Sequence, residues 1–137
     1  MTSEVDEFLA EMLPRQLAAE RALHEGDAQP RMETWSHSGP VTLFGASMPM
    51  RSGWGDVSQA FHTVASWFSD LRDYRFEVMA AGASGGLAYT IGFEHSTVSV
   101  NGKPMAYTLR VTHVYRREQG AWKIVHRHGD YPPKDPY

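Results

Sequence analysis

Cysteine is absent from this 137-residue chain. That excludes a disulfide scaffold, a thiolate metal site and a cysteine nucleophile. No apolar run approaches the roughly 18 residues needed to span a membrane. The first residues, MTSEVDEFLAEML, are acidic and lack the basic start of a secretory leader, so the expectation is a cytoplasmic protein. Basic tracts are missing too. With 13 basic and 16 acidic residues the net charge is −3, which argues against nucleic acid as a partner. There is no glycine-rich phosphate loop, no HExxH and no GxSxG, and no cofactor is expected. What is present is 42% apolar and 12% aromatic residues, enough for one domain with its own core.

Charge is uneven along the chain. Residues 1–33 hold eight acids and three bases, interleaved with apolar positions, which reads as a solvated helical face. Ser3 can cap a helix carrying Val5, Phe8, Leu9, Met12, Leu13, Leu17 and Leu23 at helical spacing, with a kink or split expected at Pro14 and a stop at Gly26. Asp27 can cap a short second helix through Met32 and Trp35. Val41–Phe44 and Met50–Ser52 read as a small hairpin. A third helix is expected from Val57 to about Ser69, capped by Asp56. From Tyr74 the period becomes two. Leu87–Val100 reads as a strand with Tyr89, Ile91, Phe93 and His95 on one face. The Asn101-Gly102 turn leads into Pro104–Arg117, with Tyr107, Leu109, Val111, His113 and Tyr115 on one face. Ala121–Asp130 follows, with Trp122, Ile124, His126 and His128 together. The expected division is a domain over 1–130 and a proline-rich tail over 131–137. Helices followed by antiparallel strands indicate α+β, a cone of curved sheet around the helices enclosing an apolar pocket.

The segments GDAQPRMETWS, PVTLFGA, RSGW, GLAYTIGFE and YTLRVTHVYRREQGAWKIVHRHGD, in that order, resemble the SnoaL-like branch of the nuclear-transport-factor-2-like superfamily. The resemblance spans about residues 20 to 130. It implies a homodimer through the outer sheet face and a small-molecule pocket, in a family of isomerases, cyclases, dehydratases and non-catalytic association domains. The catalytic groups of the steroid-isomerase branch do not carry over. Gly39 stands at its base position, Ala19 at its oxyanion tyrosine and about Thr112 at its protonated aspartate. The terminal hairpin also looks like a calcium/calmodulin-dependent kinase II association domain, whose pocket arginines correspond to Ile91, His113 and Gly129. Placing Gly129 inward requires a bulge late in the last strand.

If the alternation holds, His113 and His126 face the hollow as proton-transfer groups, with His128 one step along. Histidine is the side chain whose ordinary pKa suits such work near neutrality. Tyr115, Tyr89 and His37 would assist, His37 standing near the family's base position. Trp35, Ile91, Phe93 and Trp67 would shape the wall. The function expected is binding of a small, mostly apolar molecule, with cofactor-independent isomerisation, cyclisation or dehydration if it is turned over. The alternatives are a non-catalytic dimeric association or ligand-sensing module and, as a minor reading, a zinc site of three histidines. A one-residue slip would instead put Arg110 and Thr112 in the pocket and send the histidines outward.

Overall fold

The computed structural model describes residues 3–134. Three helices precede the long strands: α1 (Glu4–Leu23), α2 (Gln29–Thr34) and α3 (Trp54–Trp67). The strands are β1 (Thr42–Phe44), β2 (Arg51–Ser52), β3 (Phe68–Ser84), β4 (Leu87–Val100), β5 (Lys103–Glu118) and β6 (Ala121–Asp130). They form one curved, unclosed mixed sheet in the order β2-β1-β6-β5-β4-β3, in which only the β1–β6 pairing is parallel. The architecture is the expected α+β cone. Among the described residues no helix is long and apolar enough to cross a membrane.

Ser3 caps α1 by accepting from the Asp6 amide, and acids fill the first turn, where the helix dipole favours them. Of the kink or split expected at Pro14, the split does not occur: α1 is continuous through it. The apolar face on either side, Phe8 and Met12 before and Leu23 after, is buried, and that packing outweighs the lost backbone hydrogen bond. Asp27 accepts from the Gln29 amide at 3.0 Å, but it stands one residue before the start expected of it: Ala28 is the cap position of α2 and makes no side-chain cap hydrogen bond. Helix α3 begins at Trp54, before the expected Asp56 cap, because Gly53 at φ 86° provides the entry. It ends at Trp67, and Phe68 already belongs to β3.

The core lies between helices and sheet. Phe8 sits edge-on to Tyr115 and Trp122, with ring centroids 4.7 and 5.1 Å apart, and Trp35 packs on Phe61 at 5.0 Å. Two irregularities set which side chains face this core. In β5–β6 the pairing jumps from Val114↔His126 to Tyr115↔Ile124, leaving Val125 as an extra residue. In β3–β4 it jumps between Val78↔Gly92 and Ala80↔Ile91. There Gly92 is obligatory, since a Cβ would lie 2.1 Å from the Glu77 carbonyl oxygen.

The bulge at Val125 corrects the reading of the last strand. Trp122 and Ile124 face inward as expected, but beyond the extra residue Arg127 and Gly129 face inward and His126 and His128 face out. Strand β4 is corrected throughout. Ala88, Thr90, Gly92, Glu94, Ser96 and Val98 alternate as buried positions, joined at the end by Ser99, whereas Tyr89 and Ile91 are each 44% exposed and Phe93 and His95 accompany them outside. On this inner face the Tyr115 hydroxyl of β5 lies 3.0 Å from Thr90 Oγ1, and the buried cluster that takes in Ala88 also holds the rings of Phe8 and Phe61. Strand β5 has the expected facing: Leu109, Val111, His113 and Tyr115 are buried.

Candidate functional site

An interior cavity of about 120 Å³ lies between the C-terminal end of α1, the inner face of α3, the loop after β1 and the inner ends of β4–β6. Phe61, Val64, Trp67, Leu43 and Leu109 are part of its apolar wall, and Gly45–Met48, Met105 and Tyr131 border it on the loop side. Its polar part is His24, Arg31, Glu94, Tyr107 and Arg127.

Two buried ion pairs underlie that polar part. Arg31 comes from the short helix α2 and reaches Glu20 of α1: Nε donates at 2.7 Å to one carboxylate oxygen and Nη2 donates to the other. The Arg31 guanidinium also lies 5.0 Å from the Phe61 ring centroid. Arg127 of β6 reaches Glu94 of β4, donating at 3.0 Å from Nη1 and 2.7 Å from Nη2. This second pair crosses the sheet diagonally. A Cβ on Gly129 would stand 3.4 Å from Arg127 Nη2, so that glycine leaves room for the guanidinium. Tyr74 completes the group by donating to Glu94 at 2.7 Å. Burial by itself would raise the Glu94 pKa, but the charge and hydrogen bonds of Arg127 outweigh it and hold the carboxyl well below the usual range. Burial pushes the Tyr107 phenol up to about 12, so it stays protonated near neutrality.

His24 closes the polar end. Its Nδ1 lies 2.6 Å from the Glu20 carbonyl oxygen. A carbonyl can only accept, so Nδ1 carries the proton and the neutral ring has its lone pair on Nε2. Among the described residues no protein group bonds Nε2. The ring stacks on Phe68 at 4.4 Å, which fixes its plane. Burial lowers its pKa, opposed in part by the nearby Glu20 charge, so the neutral form persists below the ordinary value.

Of the residues singled out from sequence, Trp67 borders the cavity. His113 is buried on the inner face but lies beneath the site, its Nε2 3.2 Å from Arg127 Nη1. Arginine only donates, so Nε2 accepts, His113 is neutral, and its protonated Nδ1 has no partner. Burial lowers the His113 pKa strongly, and Arg127 lowers it further. Tyr115 is buried in the core, donating to Gln16 at 2.6 Å and 3.0 Å from Thr90 Oγ1. Trp35 is core, pairing with Ile124 by a single bridge. His37 is on the surface, stacked on Trp54 at 4.0 Å and bonded to the Met32 carbonyl at 2.7 Å. His126 lies on the outer face, 2.7 Å from Thr42 Oγ1, and His128 beside it is 3.7 Å from Asp130. Tyr89, Ile91 and Phe93 are on that outer face as well. The three histidines of the terminal hairpin are thus split between two faces. Among the described residues no cluster of histidine and carboxylate groups is arranged to hold a metal ion.

The sequence reading missed His24, Arg31, Glu94, Arg127 and Tyr74 as site residues. One signal was present. The series Ala88, Thr90, Gly92, Glu94, Ser96, Val98 alternates small or polar residues with the bulky ones, and a lone glutamate in such a series marks an inward-facing polar position.

The family model described as a SnoaL-like domain matches residues 17–133. No curated protein sequence matches. Among solved structures, a ketosteroid isomerase-like protein from Erwinia carotovora atroseptica superposes with a TM-score of 0.74 at 17% identity, covering 96% of this chain and 99% of that one. A protein provisionally assigned as a dehydratase of the nuclear-transport-factor-2-like family, from Streptomyces avermitilis, gives 0.73 at 17% identity over 93% and 99%. A nuclear-transport-factor-2-like protein with a cystatin-like fold from Novosphingobium aromaticivorans gives 0.68 at 15% over 94% and 84%. At these identities the structural likeness establishes the fold.

Proposed function

The chain belongs to the SnoaL-like domain family, and from that premise we propose that its cavity binds a small, mostly apolar molecule and moves a proton on it, with no cofactor. His24 is the proton acceptor. The observation that carries this reading is the free Nε2 lone pair of a neutral imidazole on the cavity wall, its tautomer set by the Glu20 carbonyl and its plane by Phe68. A general base needs a fixed direction and a pKa near or below working pH, and His24 has both. Tyr107, protonated and hydrogen-bonded with Ser96, and the guanidinium N–H groups not used by Glu20, Glu94 and His113 are the groups that can meet a ligand oxygen. Glu94 is ionised and fully engaged by Arg127 and Tyr74, which suits it to holding Arg127 in place.

Deuterium exchange tests this without a known substrate. Small ketones and aldehydes of a size to fit the cavity are incubated with the protein in D2O, and label at carbons next to the carbonyl is followed by NMR. Enzyme-dependent label is expected for at least one compound. His24→Gln should slow it by about 10²- to 10⁴-fold, the usual contribution of a positioned base. Exchange equal in His24→Gln and the parent protein would remove His24 from the role.

A second copy of the chain is the proposed partner, seated on the outer sheet face. Met79, Leu87, Tyr89 and Ile91 are 44–61% exposed there, on neighbouring strands, and support that reading.

A further inference from the structure

The charges around the cavity cancel, and that bears on what the cavity takes. Arg31 is matched by Glu20, with side chains 7% and 5% exposed, and Arg127 by Glu94, with 8% and 3%. Among the described lining residues there is no lysine and no third arginine, and His24 is held neutral. An entering carboxylate or phosphate would lose its water and find each guanidinium already neutralised by a buried carboxylate, so it would meet two negative charges along with the two positive ones. An uncharged oxygen meets a different site. A guanidinium has five N–H groups, and Arg31 uses two of them on Glu20. Its Nη1 has no protein partner among the described residues and is not among their fully buried unpaired atoms, so it keeps accessible surface on a side chain that lines the cavity.

Building on the ligand-binding reading of this same cavity, we infer that its ligand is an uncharged molecule with a compact apolar body and a carbonyl, amide or hydroxyl oxygen, the oxygen taking Arg31 Nη1, and that carboxylates are excluded. Glu20 is the specificity-determining residue. It does not line the cavity, yet by neutralising Arg31 it converts a cation into a neutral donor.

An isosteric pair separates charge from shape. 3-Methylbutanamide and 3-methylbutanoate have the same heavy-atom skeleton and fit the volume; each is titrated at pH 7 while cavity resonances are followed by NMR. The amide is expected to bind at least about tenfold more tightly than the acid. Val64→Trp, which fills the cavity, should abolish the amide shifts. Glu20→Gln leaves Arg31 as an unmatched cation and should raise affinity for the acid about tenfold or more. If Glu20→Gln does not fold, the comparison on the parent protein decides alone. Acid binding equal to or tighter than amide binding would overturn the inference while leaving the cavity as a ligand site. Shifts from neither compound, or amide shifts that survive Val64→Trp, would overturn the ligand-binding reading as well as the inference.

Discussion

At the scale of single residues, the interior is held by pairs in which each member is intolerable alone. Glu94 and Arg127 are both buried, and each supplies what the other lost on leaving water. Replacing Glu94 by Leu strands a guanidinium. It should cost about 3–5 kcal/mol in denaturant unfolding. The pair replacement Glu94→Leu with Arg127→Met should recover a large part of that loss. If the double variant is as unstable as the single, the pair is not the source of the effect.

The two buried histidines give the molecule a pH dependence of definite sign. His24 and His113 both have folded pKa values below the ordinary 6.5, chiefly from burial. As pH falls the unfolded chain takes up these protons first. Stability is therefore fully present above about pH 6.5 and declines below it, by up to about 1.4 kcal/mol per pH unit for each histidine. His113→Gln keeps an acceptor for Arg127 but cannot titrate. Unfolding measured from pH 7.5 to 5 should show a shallower acid slope for it than for the parent, and an unchanged slope would contradict the assignment. The same lowered pKa on His24 predicts that the acid limb of any proton-transfer activity falls below pH 6.5.

At the scale of elements, local signals and tertiary packing compete, and the places where they disagree explain what could be read from sequence. The cap at Ser3, the Asn101-Gly102 turn and the apolar spacing of α1 and α3 are local, and they were legible. Strand facing is not local. One extra residue at Val125 turns His126 and His128 outward and Arg127 inward, and no alternation count can place a bulge that is fixed by pairing with another strand. In β4 the rule that bulky apolar residues face inward failed: Ala88, Thr90, Glu94 and Ser96 take the inner positions and Tyr89 and Ile91 lie outside. The cavity-lining residues also come from segments read only for helix formation: His24 is the cap residue of α1, and Arg31 sits mid-helix in α2. Two variants probe these conflicts. Gly92→Ala drives a methyl into the Glu77 carbonyl at the β3–β4 bulge and should cost about 3 kcal/mol or unfold the protein. Pro14 is exposed within α1, so Pro14→Ala restores a helical hydrogen bond at no packing cost and should raise stability by about 1–3 kcal/mol. A loss of stability in Pro14→Ala would mean that the proline is required by the geometry of α1.

At the scale of the whole molecule, the curved sheet divides the work between its faces. The inner face carries the neutralised charges and the cavity. The outer face carries an apolar centre of Met79, Tyr89, Ile91 and Phe93, bordered by the Arg110–Asp130 pair, with Arg110 Nε 2.7 Å from Asp130, and by the Glu77–His95 contact at 3.0 Å. An apolar centre inside a polar rim is the anatomy of a protein–protein contact, and two copies of one sheet face can meet about a two-fold axis. The expected assembly is a dimer with twice the chain mass by light scattering. Ile91→Glu places charges at the centre of the face and should yield monomers. The cavity opens on the other side of the sheet, so the monomer should keep the parent's affinity for 3-methylbutanamide. A parent protein that is monomeric at tens of micromolar would show that this face meets no second copy, and a monomer that loses amide binding would show that the two faces are coupled through the sheet.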